Sequence, residues 1–242
     1  MLYVQQHHVF MRDRMGGKEP RMKPLTQRHG NKRPSKASQK VGSPFRPPHV
    51  RASAYDAAMN FSHYIDRLRA VFDAHGHTLN LKPGAAESKL EAVQAELGFA
   101  IPADVRQAWL RANGAERDVP VFMRPGYLTA YDFLTLEAAM TKRARMADRA
   151  PRYAAYDEPS PRDERIRDGW FHHGWLPFAS FGGATLLLLV DHSPSEAGTP
   201  GQIIAFTHDP DQITWVAPSF AALLTGSIAE IEADPQEFLG EY

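Results

Sequence analysis

Apolar positions in the second fifty residues recur at helical spacing and are punctuated by glycine and proline. Ala57, Phe61, Tyr64, Ile65, Leu68 and Phe72 form one stripe at three- and four-residue intervals, which predicts a helix capped by Ser53, running to about Ala74 and stopped by Gly76. Leu90, Val93 and Leu97 predict a second helix over Glu87–Leu97 with Gly98 at its end. Phe99-Ala100-Ile101-Pro102 is extended, because a residue before proline is pushed out of the helical region. Pro102 then suits the first turn of a third helix, in which Val105, Ala108, Trp109 and Ala112 share a face before Asn113-Gly114 closes it.

The pattern changes in the middle. Val119–Met123 and Leu128–Phe133 predict short strands, and Thr135 caps a fourth helix through Arg145. Residues 142–168 are highly charged, mixed in sign and interrupted by Pro151, Pro159 and Pro161, which predicts an exposed insertion or long loop. Two apolar runs, Trp175–Phe181 and Thr185–Val190, flank Gly182-Gly183 and predict a hairpin. A polar loop from Asp191 to Gly201 leads to a strand at Gln202–Thr207, and the turn Asp209-Pro210-Asp211 to another at Ile213–Val216. Ser219 caps a closing helix with Phe220, Leu223 and Leu224, while Gly226 and Pro235 are expected to break the chain beyond it. Helices, then strands, then a helix predict an α+β fold with helices packed on a mostly antiparallel sheet.

Charge divides the chain in two. Residues 1–51 hold twelve Lys/Arg against Asp13 and Glu19, leaving sixteen basic and twenty-six acidic residues for 52–242. A formally neutral protein is thus a basic tail on an acidic body, and the two parts should have different partners. The tail has six prolines and scattered apolar residues, so it is expected to be disordered, with a folded domain over 52–242. Its charge suits nucleic acid or another anionic surface, although Tyr3, Phe10 and Phe45 offer little base stacking. A solvated leader is the blander reading. The longest aliphatic run, Leu186–Val190, is far short of the roughly 20 residues of a membrane span. No apolar core of a signal peptide opens the chain. A cytoplasmic protein without membrane contact is the default expectation rather than a deduction. Cysteine is absent, which removes disulfides, thiolate nucleophiles and Cys-based zinc sites.

Candidate chemistry is sparse. There is no phosphate-binding glycine loop ahead of a helix and no nucleophile elbow. Adjacent His172 and His173 would point to opposite faces of a strand, so with His192 and His208 they are expected to be loop residues rather than ligands. Asp209/Asp211 read as turn formers and Glu230/Glu232 as a solvated face. No catalytic residue, cofactor site or metal site is therefore expected. Asp191, ending an apolar strand, could accept backbone N–H groups or sit on a binding edge. Trp170, Trp175 and Trp215 gather around the predicted sheet as core or as interface anchors.

Several segments in order resemble a known pattern. Leu81-Lys82-Pro83-Gly84-Ala85, Leu90…Leu97-Gly98, Ile101-Pro102-Ala103-Asp104-Val105 and Asn113-Gly114 resemble the opening of the SUKH superfamily of yeast cell-wall-synthesis regulators and bacterial immunity proteins. Tyr131–Glu137, Trp175-Leu176-Pro177-Phe178-Ala179, Gly182-Gly183, Leu187…Val190-Asp191, Gly201–Ile204 and Ser219…Leu224 continue the resemblance over about 80–226. It implies an α+β, non-catalytic protein-binding module: an immunity protein that neutralises a cognate, often nuclease, toxin, or a regulator or scaffold of cell-wall synthesis. Carried over, the pattern positions are Trp175, Pro177, Gly183, Asp191 and Gly201, as candidates for partner binding or for maintaining the fold. The partner expected is a protein, with a basic toxin favoured by the acidic body, and nucleic acid only through the tail.

Overall fold

In the computed structural model, residues 59–127, 129–156, 158–182 and 185–240 are described. The basic tail, the Ser53 cap and Gly183 lie outside them. The first described helix, α1, spans Phe61–Ala74 and is capped by Asn60, whose side chain accepts from His63 N. Helices α2 (Glu87–Leu97) and α3 (Ala103–Arg111) follow, the former ending on Gly98 in the left-handed conformation. Strands β1 (Pro120–Met123) and β2 (Ala130–Phe133) lead to α4 (Leu136–Arg149), capped by Thr135 as the sequence predicts. Strands β3 (Trp175–Phe181), β4 (Leu186–Asp191), β5 (Gln202–Thr207) and β6 (Gln212–Ala217) then build the rest of the sheet. Helix α5 (Phe220–Ala233), capped by Ser219, and α6 (Pro235–Leu239) close the described chain.

All six strands pair antiparallel in chain order, so β1 and β6 are the edges. Helices cover one face. There Tyr64, Leu68, Trp109, Phe178 and Phe220 are buried around Phe122, whose ring meets Phe133, Phe178 and Phe220 edge-on at 5.5–6.1 Å. Such contacts add about 0.5–1.5 kcal/mol each to the burial of the rings.

The opposite face corrects the expectation for 142–168. Helix α4 runs four residues past the predicted Arg145, and a 3-10 turn follows at Ala150–Tyr153. Met146 and Ile166 are buried against Trp175, Leu187, Leu189, Ile204, Phe206 and Ile213, with Trp170 and Phe171 at the margin. The segment thus roofs the second face of β3–β6. This is why β3 and β4 are apolar almost without alternation: both of their faces are covered.

The other departures are local. Four residues connect β3 to β4, from Gly182 to Thr185, instead of a two-residue turn. Gly226 lies inside α5 and does not break it; a Cβ there would come within 2.7 Å of Pro125 Cγ, so glycine allows the helix to approach the β1–β2 turn. Pro235 begins α6, where its missing N–H costs nothing.

The β1 edge is sealed from within. Val121, bulged out of register, accepts the Tyr64 hydroxyl through its carbonyl, and Met123 N donates to Ser227 Oγ at 2.8 Å. Tyr64 Oη and Ser227 Oγ are themselves 2.8 Å apart. Full burial raises the Tyr64 phenol far above its ordinary pKa, so it stays a neutral donor.

Candidate partner-binding site

Strand register sets three polar or amphipathic side chains in a row beneath one end of the sheet. Trp175 opens β3 opposite Asp191, which ends β4 opposite Gln202, the first residue of β5. All three are buried, Asp191 with no measurable exposure. Asp191 Oδ1 accepts from Ser193 N and Oδ2 from Gln202 Nε2, both at 2.9 Å. The same Nε2 donates to Arg165 O at 2.9 Å, and Thr199 N donates to Gln202 Oε1 at 3.3 Å. The Trp175 indole N–H is near the carboxyl but short of a well-formed hydrogen bond, and finds no other partner. Burial pushes the Asp191 pKa upward, against the pull of the Gln202 and Ser193 donors.

These bonds brace two loops, 162–168 and 192–201. Gly201 N closes the second loop onto Asp191 O at 2.7 Å, with Gly201 at φ +90°, where a side chain would be strained. Gly198 allows the loops to touch, since a Cβ there would lie 2.3 Å from Arg165 O. Arg143 ties α4 to the same corner by donating from Nε to Trp175 O and from Nη2 to His173 O.

Between the loops is an open depression of about 570 Å³, floored by Ile166 and flanked by Ser195. Two of its charges are occupied: Arg162 pairs with Glu158, and Asp163 with Arg165. The Arg165 guanidinium holds the Asp163 carboxyl below the usual range. Glu164, Asp168 and Glu196 are exposed on the rim and have no ion pair among the described residues. Arg167, the remaining rim cation, donates to Pro194 O. The unpaired charge of the rim is therefore mainly negative.

Of the sequence-derived candidates, Trp175, Pro177 and Asp191 have buried side chains, and Gly201 is a loop-closing turn. Pro177 pairs with Leu189 beside a β-bulge, where a residue lacking an N–H is tolerated. Gly183 lies outside the described residues. Sequence reasoning missed Gln202 and the whole 162–168 loop. The one signal for Gln202 was a polar residue opening an otherwise apolar strand.

The histidines are dispersed: His172 Nε2 meets Asp168 O, His173 Nε2 meets Leu97 O, and His208 Nδ1 lies 2.7 Å from Asp211. Among the described residues no group of three or more His, Asp or Glu is placed to hold a metal ion. No helix there is long and apolar enough to cross a membrane.

One carboxylate is tuned away from the rim. Asp132 on β2 is half-buried, and burial with the charge of Asp118 raises its pKa to about 6, opposed by Lys142. A raised folded-state pKa means that the native state holds this proton better than the unfolded chain does. Stability from this group is present at low pH and is lost as pH rises through about 6. Asp132→Asn should remove that dependence and gain about 1 kcal/mol at neutral pH, a value discounted for solvent access. Denaturant melts of both proteins at acid and neutral pH check this.

A helix-backed antiparallel meander, with a buried polar row bracing two surface loops, defines the class: an α+β domain that presents a rigid, acid-rimmed surface. Residues 84–226 match the model of the SMI1 / KNR4 family (SUKH-1), and the chain belongs to that family. No curated protein matches it. The match agrees with the resemblance read over about 80–226, and at family level membership supports a non-catalytic module acting through protein–protein contact.

Proposed function

We propose that residues 52–242 act in the cytoplasm as an immunity domain that binds and neutralises a basic, nuclease-type toxin. The observation that carries this reading is the rim: Glu164, Asp168 and Glu196 stand exposed and unpaired among the described residues, above a buried brace that fixes their loops. The sixteen-to-twenty-six imbalance of basic to acidic residues in 52–242 gives the same sign at long range. Opposite charge accelerates capture of a partner more than it strengthens the final complex. Association with a toxin encoded beside this chain should therefore slow by about tenfold or more between low and high salt. Stopped-flow mixing measures it, and a salt-independent rate contradicts the electrostatic part.

A second reading, a regulator or scaffold of cell-wall synthesis with residues 1–51 as a docking arm, is favoured by the twelve basic residues of the tail. Deleting 1–51 separates the two: neutralisation survives under the first, whereas partner recruitment is lost under the second.

A further inference from the structure

One arginine is buried without a counter-ion. Arg124 follows β1 and is only 4% exposed, yet no Asp or Glu among the described residues pairs with it. Glu230, which reaches the same turn, accepts from Gly126 N at 3.3 Å instead. A guanidinium stays charged, and burying one unpaired is costly. Such a cost is kept where the charge meets something that the fold alone does not supply. The surroundings are neutral. Nη2 donates to Thr214 Oγ1 at 2.8 Å, the Tyr127 ring covers the group at 3.6 Å, and the Tyr131 hydroxyl lies beside it. Burial raises the Tyr131 pKa against the pull of Arg124, so the phenol stays neutral and does not serve as the counter-ion. Most of the five N–H donors of the guanidinium are left without an acceptor among the described residues.

Strand register places the group. Thr214 pairs with Ala205, which belongs to the helix-covered core, as does Tyr131. One step further along the β2–β3 ladder sets Phe181 opposite Tyr131, on the same face. Arg124 therefore links the first strand to the last at the end of the sheet that carries the β1–β2, β3–β4 and β5–β6 turns. Tyr127 and Phe181, two of the three large exposed aromatic side chains among the described residues, are at that end. Trp175, Asp191 and Gln202 are at the other.

We propose that Arg124 anchors a binding site for a monocarboxylate with an apolar body, separate from the acidic rim. The guanidinium fork matches the two oxygens of a carboxylate, and the Thr214 and Tyr131 hydroxyls are further donors beside it. A phosphate dianion fits less well, because Arg124 is the one cation acting on Tyr131 and balances a single negative charge. Tyr127 and Phe181 offer rings to the apolar part of the ligand. The carboxylate comes either from a free organic acid or from the C-terminus of a peptide.

Phenylacetate probes the first source, and a short peptide ending in phenylalanine with an unblocked carboxyl probes the second. Phenylacetamide and the amidated peptide are their uncharged controls. NMR titration of the full chain should show saturable shifts at the Arg124 Nε–H and at the Tyr131 and Thr214 amides, with a Kd of about 1 mM or below for one of the two carboxylates. Whichever saturates assigns the source. The matching amide should bind at least about tenfold more weakly, as should the acid to Arg124→Lys, which keeps the charge and loses the fork. Arg124→Met should abolish the shifts, and where that variant does not fold, acid against amide on the unaltered chain decides. No saturable shift with either carboxylate up to about 10 mM overturns the proposal. So does equal binding of acid and amide, tighter binding of inorganic phosphate, or a folded Arg124→Met protein that still binds.

Discussion

Asp191→Ala is expected to lower the unfolding free energy by about 4 kcal/mol, the largest effect of any substitution near the candidate site. The loss comes from the donors left behind rather than from the carboxylate itself. Ser193 N and Gln202 Nε2 both lose a buried acceptor, and the Trp175 indole, which has no other hydrogen-bond partner, loses the carboxyl beside it. Each donor left without an acceptor costs about 1–3 kcal/mol, the cost of desolvating a polar group that finds no partner. Asp191→Asn should cost about half as much, since one amide oxygen remains, although its NH₂ then faces another donor. Urea melts give the difference. Exchange of the Ser193 and Gly201 amides should quicken in the alanine variant even under conditions where it stays folded. The rim would lose its fixed geometry, so partner affinity should fall although Asp191 is itself buried.

Ser227→Ala comes next, at about 3 kcal/mol. Ser227 Oγ is the acceptor for Met123 N and lies against the Tyr64 hydroxyl, so its removal strands a backbone donor and loosens a buried phenol. Tyr64→Phe should cost about 2 kcal/mol, leaving Val121 O without its donor. The two residues share one network, so the double variant should cost less than the sum of the singles by about 1 kcal/mol. Thermal and denaturant melts of the four proteins complete that cycle. The variants should also aggregate more readily at high concentration, because they reopen the β1 edge.

Local signals carried much of the fold. Glu87–Leu97, Trp175–Phe181 and Gln202–Thr207 have the bounds their patterns predict, because a glycine stop or a polar residue brackets each apolar run. Thr135 and Ser219 cap helices as their side-chain chemistry requires. Long-range packing was not legible. Within 142–168 only Met146 and Ile166 are buried apolar residues, too few for a period, and the abundant charge masked a roof over the sheet. Gly226 looked like a breaker because the proline it packs against is about a hundred residues away in sequence.

The site was half visible. Asp191 drew notice at a strand end, where a carboxylate can take backbone donors, and one of its donors is indeed the backbone of Ser193. Its other partner, Gln202, depends on the register between β4 and β5, which no local pattern states. The rim charges Glu164, Asp168 and Glu196 come from two loops, 162–168 and 192–201, joined by Gln202 and Ser195 N on Arg165 O, by Ser195 Oγ on Glu164 O, by Arg167 on Pro194 O and by close packing at Gly198. Surface constellations assembled from separate loops leave no spacing in a sequence.

The most direct test of a gripping domain is hydrogen exchange on the full chain, free and mixed with the toxin encoded beside it. Amides in 162–168 and 195–198 should become protected in the mixture, with the helical face of α1 and α5 unchanged. Protection confined to that helical face, or no complex at all at micromolar concentration, would contradict a grip through the acidic rim.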